Sequence, residues 1–111
     1  MEIRDSEKFY IVTPLSSILN EYESRRIFND LSAESRDLAI DLSYVTDCTI
    51  DFFELLKNFA LERRLSLFNI SAELFVLLNN LGIDKCIKLF VSELDFIENS
   101  REMVNRRFSI V

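Results

Sequence analysis

The sequence predicts an α/β domain with a small, mostly parallel sheet of about four to five strands and about four helices. Three observations carry this. Short β-branched or apolar runs alternate with longer segments whose apolar residues recur at helical spacing. The helical segments open at Asn, Asp or Ser, residues that cap a helix N-terminus well. The 111 residues contain no linker, repeat or low-complexity stretch, so 1–111 reads as a single domain with one modest core.

Taken in order, Phe9-Tyr-Ile-Val-Thr-Pro-Leu15 is a strand, and Glu2-Ile-Arg-Asp5 pairs with it across the polar turn Ser6-Glu7-Lys8. Pro14 has no N–H to donate and belongs at the strand's end. Asn20 caps a helix over about Glu21 to Leu31, with Tyr22, Ile27 and Leu31 facing inward. Leu38 to Leu42 is an apolar run typical of a strand covered on both faces. From Phe52 to Arg64, helical spacing relates Phe52, Leu55, Leu56, Phe59 and Ala60, with Asp51 as N-cap and Glu54 as its capping-box partner. Leu65 to Phe68 is the next strand. Ser71 caps a helix bearing Leu74, Phe75, Leu77, Leu78 and Leu81, and Gly82 sits where a left-handed terminal residue belongs. Lys85 to Val91 is the last strand. Ser92 and Asp95 open a final helix with Leu94, Ile97, Arg101, Val104 and Phe108 on one face. Strands alternating with single helices imply right-handed crossovers and a largely parallel sheet.

Composition narrows the chemistry. Without His there is no Ser/His/Asp triad, no Cys/His pair and no imidazole base. A single Gly leaves no phosphate-cradling loop. No nucleophile–base pair has usable spacing, so the chain is expected to be a non-enzyme without cofactor. Glu93, Asp95, Glu98 and Glu102 read as a solvated helix face and not a metal site. Arg63-Arg64 and Arg106-Arg107 read as solvated helix ends. With 13 Lys and Arg against 19 Asp and Glu, the net charge of −6 disfavours nucleic acid and anionic membrane surfaces. Cys48 and Cys86 stand alone among apolar neighbours and read as reduced thiols. The charged start MEIRDSEK and the lack of a long apolar run predict a cytoplasmic protein with no membrane insertion.

The stretch Leu38-Ala-Ile-Asp41-Leu-Ser43-Tyr-Val45-Thr46 resembles the "hydrophobic-D-L-S-x-V-T" strand and turn of STAS domains, the family that includes bacterial anti-sigma factor antagonists. Further segments are similar in register. Leu65 to Ser71 resembles that family's fourth strand and its turn, and Leu77 to Lys85 resembles its "LL-x-x-x-G-L" helix end. Leu15-Ser-Ser-Ile-Leu-Asn20 is similar to its "L-x-G-x-L-D" turn, with Ser17 for Gly and Asn20 for Asp. The resemblance implies a STAS-like topology over nearly the whole chain.

It also implies a regulatory turn of the form V-T-x-I-D-S-S-G-L, whose second Ser is phosphorylated by a partner kinase. Aligned without gaps from Asp41, the family's Asp falls on Thr49, its first Ser on Ile50, its phosphorylated Ser on Asp51 and its Gly on Phe52. All four positions depart from the pattern. A carboxylate at the start of a helix favours the positive end of its dipole, as a phosphoserine would with more charge. Asp51 therefore reads as a permanent, weaker version of the phosphorylated state, or as a plain helix cap. Thr49 is the alternative phosphoacceptor. Phe52 and Phe53 are not expected to share the core of one helix, so one of them should lie outward near the turn.

The expected function is thus a regulatory binding module docking on a protein partner, an anti-sigma factor or serine-kinase-like regulator. Ser17, Asn20, Thr49, Ile50, Asp51, Phe52, Phe53, Asn69 and Ser71 form the expected partner-binding edge, because strand ends and the following helix N-termini converge there. The alternative is an accessory subunit of a membrane transporter, or a structural subunit of a signalling complex.

Overall fold

The computed structural model describes residues 1–100 and 102–103. Its main sheet has the order β1-β2-β4-β6-β7, formed by Glu2–Asp5 (β1), Phe9–Thr13 (β2), Asp37–Asp41 (β4), Leu65–Phe68 (β6) and Lys88–Phe90 (β7). β1 runs antiparallel to β2, with Glu2 opposite Thr13 and Asp5 opposite Tyr10. The other three pairings are parallel. β2 stops at Thr13, immediately before Pro14, as the missing N–H requires. The α/β class and the mostly parallel sheet follow the sequence reading. A second sheet does not. Ile18–Leu19 (β3) pairs in parallel with Asp47–Cys48 (β5), two residues to a strand. Strands this short have no periodicity to detect.

Helices Glu21–Ser32 (α1), Ile50–Glu62 (α2) and Ala72–Asn80 (α3) connect consecutive parallel strands. Right-handed crossovers between strands laid down in order place all three helices on one face. The main core accordingly joins Ile27, Phe28 and Leu31 of α1, Phe52, Phe53 and Leu56 of α2, and Leu74 and Leu78 of α3 to alternate strand residues. The opposite face holds a smaller cluster, Ile11, Ala39, Phe68 and Phe90, covered by Phe96 of the short helix Glu93–Glu98 (α4).

Local signals account for the helix ends. The Asn20 side chain accepts the Glu23 N–H at 2.9 Å, and Ser71 Oγ accepts the Leu74 N–H at 3.2 Å. Gly82 follows α3 with φ +75, where a side chain would be strained. At α4, Ser92 accepts the Asp95 N–H and donates its own proton to the Asp95 carboxylate at 2.8 Å.

Several expectations are corrected. Tyr22 is 70% exposed, and the inward face of α1 runs through Ser24, Ile27, Phe28 and Leu31. The strand expected over Lys85–Val91 begins only at Lys88, because Ile83–Lys85 forms a 3-10 turn that buries Ile83 against the core. In α4 the buried side chains are Asp95 and Phe96, while Leu94 and Ile97 are exposed. That helix stops at Asn99, which has a positive φ of 52. Arg101, Val104 and Phe108, and likewise Arg106 and Arg107, lie outside the described residues. Arg63 is no solvated helix end: its guanidinium donates to the Ser32 and Glu34 carbonyls at the C-terminal end of α1 and lies 5.7 Å over the Phe59 ring.

Phe52 is fully enclosed and touches Phe28 and Phe53, whereas Phe59 is only partly buried against the same core. Phe52→Ala should therefore lower unfolding free energy by about 3–5 kcal/mol, and Phe59→Ala by clearly less. Chemical denaturation of the two variants checks this, and a larger loss for Phe59→Ala would contradict the packing.

Candidate functional site

The expected site lies at the C-terminal ends of the parallel strands, where the backbone builds a clamp. Ser17 O accepts the Thr46 N–H at 2.8 Å, the Thr46 hydroxyl at 3.1 Å and the Asp47 N–H at 3.2 Å. Leu19 O accepts the Thr49 N–H at 2.9 Å and the Thr49 hydroxyl at 3.2 Å. Two turns about thirty residues apart in sequence are thereby fixed side by side. One carries Ser17, Ile18 and Asn20. The other carries Thr49, Ile50 and Asp51.

The same end of the sheet holds a buried carboxylate. Asp41, the last residue of β4, accepts the Ser43 N–H at 3.0 Å and the Asn69 amide at 3.1 Å through Oδ1. Its Oδ2 receives Arg4 Nη2 at 3.2 Å and faces the Thr13 hydroxyl at 3.5 Å. Arg4 also pairs with Glu93 at the start of α4. Asn69 adopts a positive φ of 56, which Asn tolerates better than most residues, and so brings its amide under β4.

This geometry redistributes the expected roles. Thr49, not Asp51, is the N-cap of α2. Its hydroxyl is directed to Leu19 O and makes no capping bond, and the capping box with Glu54 does not form. Asp51 is instead in the first turn, where its carboxylate still favours the dipole. Phe52 and Phe53 are both buried, which overturns the expectation that one points outward. The reason is that α2 enters beneath the β3–β5 pair, so its first turn is enclosed by Leu19 and Cys48 as well as by α1. Asn20, Asn69 and Ser71 hold the caps and turns just described. Ser17 and Ile50 are exposed, and Ile50 at 68% is the most open apolar side chain of the expected set.

Sequence reasoning missed several neighbours. Ile18 projects outward from β3 while Leu19 is fully buried, and Tyr44 is exposed in the turn after β4. A cavity of about 370 Å³ separates the Thr46–Asp47 turn from α3, with Glu73, Val76 and Leu77 on its wall. The available signal was alternation: in Ile18-Leu19 and again in Leu77-Leu78, one residue of an apolar pair is buried and its neighbour exposed. Among the described residues, no cluster of three or more His, Cys, Asp or Glu could hold a metal ion. None of the described helices is long and apolar enough to cross a membrane.

Removing the Asp41 carboxylate strands three donors and a guanidinium. Asp41→Ala should cost about 3 kcal/mol in thermal or chemical unfolding, and a loss under about 1 kcal/mol would show the network to be incidental.

Cys48, in β5, is buried, and that burial together with the nearby Asp47 carboxylate pushes its thiol up to about 12 from an ordinary 9.0. The neutral thiol thus favours the fold. Its contribution is intact below about pH 9 and is lost as pH rises toward the folded-state value. Wild type should lose stability more steeply than Cys48→Ala between about pH 9 and pH 11, and equal slopes would contradict the assignment.

No protein-family model matches the chain, and no curated protein matches it.

Proposed function

We propose that the chain is a STAS-type regulatory module that binds a protein partner across the α2 entry, held in one charge state by Asp51. The observation that carries this reading is the clamp, which ties the turn bearing Ile18 to the turn bearing Ile50 and Asp51 and reaches the cavity against α3 through Thr46 and Asp47. The reading is supported by an α/β fold with one antiparallel arm on an otherwise parallel sheet, and by the DLSYVT turn in the sequence.

The chemistry of the partner follows from the surface. Asp47 and Glu73 line the cavity with Val76 and Leu77, and Asp51 and Glu54 follow the exposed Ile50 at the start of α2, so a partner with apolar and basic side chains would complement this surface. A carboxylate at position 51 carries permanently part of the charge that a phosphoserine would add reversibly. The module therefore acts by titrating a kinase-type regulator or a related scaffold, without a phosphorylation cycle at this position. The missing phosphoacceptor equally favours a second reading, an accessory subunit of a membrane transporter.

Affinity capture from the native host, with wild type and Ile50→Asp side by side, separates these readings. The expected outcome is a kinase-like ATPase or scaffold bound to wild type and lost with Ile50→Asp. Recovery of membrane transporter subunits would support the second reading. Capture insensitive to Ile50 would overturn both. Towards the purified partner, Asp51→Ser should weaken binding by about 1 kcal/mol or less, with the difference shrinking as salt is added. Its effect on folding should also stay within about 1 kcal/mol, since only a charge–dipole interaction is removed.

A further inference from the structure

The other end of the same sheet carries a second opening. Among the described residues, α1, α2 and α3 cover one face and α4 shields only part of the other, and the first residues of β2, β4, β6 and β7 line a cavity of about 430 Å³. Its floor is aromatic. Phe9 and Phe96 meet edge to face with centroids 5.1 Å apart, and Phe90 packs on Phe96 beside them. Among the described residues its rim is cationic, with Lys8, Arg64 and Lys88 against the carboxylate of Asp37.

This local balance opposes the net charge of the chain, which is −6. Among the described residues no ion pair engages Lys8 or Arg64, and Lys88 donates to the neutral Asn99 side chain at 3.1 Å. By contrast Arg25 pairs with Glu21, and Arg36 with Asp5 and Glu34. Three cations without carboxylate partners among the described residues, around an edge-to-face aromatic floor, match a ligand with a negative head and an apolar body. The cavity volume falls within the range of small-molecule sites.

We propose that this cavity binds a small amphiphilic organic anion, its acidic head among Lys8, Arg64 and Lys88 and its apolar body on Phe9 and Phe96. The Ser66 side chain, short and central on β6, leaves the floor open for that body. The site lies at the N-terminal ends of the strands, opposite the clamp, and its occupancy does not depend on the partner proposed above. Cys86 lies on the same wall and is exposed, so a bound ligand would shield its thiol.

Anilinonaphthalene sulfonate serves as the probe, titrated into the full chain and followed by fluorescence, with decanoate as competitor. The expected result is saturable one-site binding, displaced by decanoate, with slower modification of Cys86 by a thiol reagent when the site is filled. Lys8→Glu combined with Arg64→Glu should weaken binding by about tenfold or more. Ser66→Phe should abolish it by filling the floor, while Lys57→Glu on α2 leaves it unchanged. Circular dichroism of each variant verifies the fold, and the exposed charge changes give a second reading should Ser66→Phe misfold. Absence of saturable binding to wild type, or binding indifferent to the double charge reversal, would overturn the proposal.

Discussion

One buried carboxylate organises the functional end of this molecule. Asp41 closes β4 and collects Arg4 from β1, the hydroxyl side of Thr13 from β2, the backbone of the turn at Ser43, and Asn69 beyond β6. A buried charge is tolerated only when its lone pairs are occupied, so each of these segments is held at a defined distance from the others. Through Arg4 and Glu93 the same network reaches α4. The turn that leads into β5 and the clamp begins two residues after this carboxylate. Its position is set before the clamp's own hydrogen bonds are counted.

The clamp then determines what α2 is able to present. Because Leu19 O receives both the backbone and the hydroxyl of Thr49, the helix starts one residue before Asp51 and enters under the β3–β5 pair. That entry angle buries Phe52 and Phe53 together, an arrangement that helical periodicity taken alone disfavours. The apolar area available to a partner shifts one residue upstream to Ile50 and across the clamp to Ile18. Residues chosen for chemistry, such as Asn20, Asn69 and Ser71, turn out to hold the backbone in place, and the surface is left to side chains with no internal duty.

Uneven coverage of the two sheet faces is the second organising feature. Three crossover helices must fall on one side when parallel strands are added in sequence order, so the other side depends on whatever follows β7. Among the described residues that is chiefly a six-residue helix anchored by Phe96 among Phe9, Phe68 and Phe90. A helix of that length spans about 9 Å and covers only part of the sheet. The end of the sheet that α4 does not reach gathers cations by the accident of where each strand begins: Lys8 before β2, Arg64 before β6 and Lys88 opening β7. Polar residues that punctuate strand starts in the sequence thus become one rim in space.

What the sequence by itself determined is the set of elements whose causes are local. Pro14 stopping β2, Asn20 and Ser71 capping their helices, Gly82 turning left-handed after α3, and the apolar runs of β4 and β6 are each decided within a few residues. The α/β class and the mostly parallel sheet follow from their order. The tertiary structure alone decided whatever depends on partners distant in sequence. The two-residue strands β3 and β5 exist only because they meet each other. The N-cap moved from Asp51 to Thr49 because Leu19 supplies an acceptor from thirty residues away. Arg63 left solvent because the carbonyls at the C-terminal end of α1 lie beside it. Ile83 became core, shortening β7, because α3 delivers it to the sheet. Side-chain type sets what a residue is able to do, but burial and hydrogen-bond partners settle which of those capacities is used, and both are properties of the packed chain.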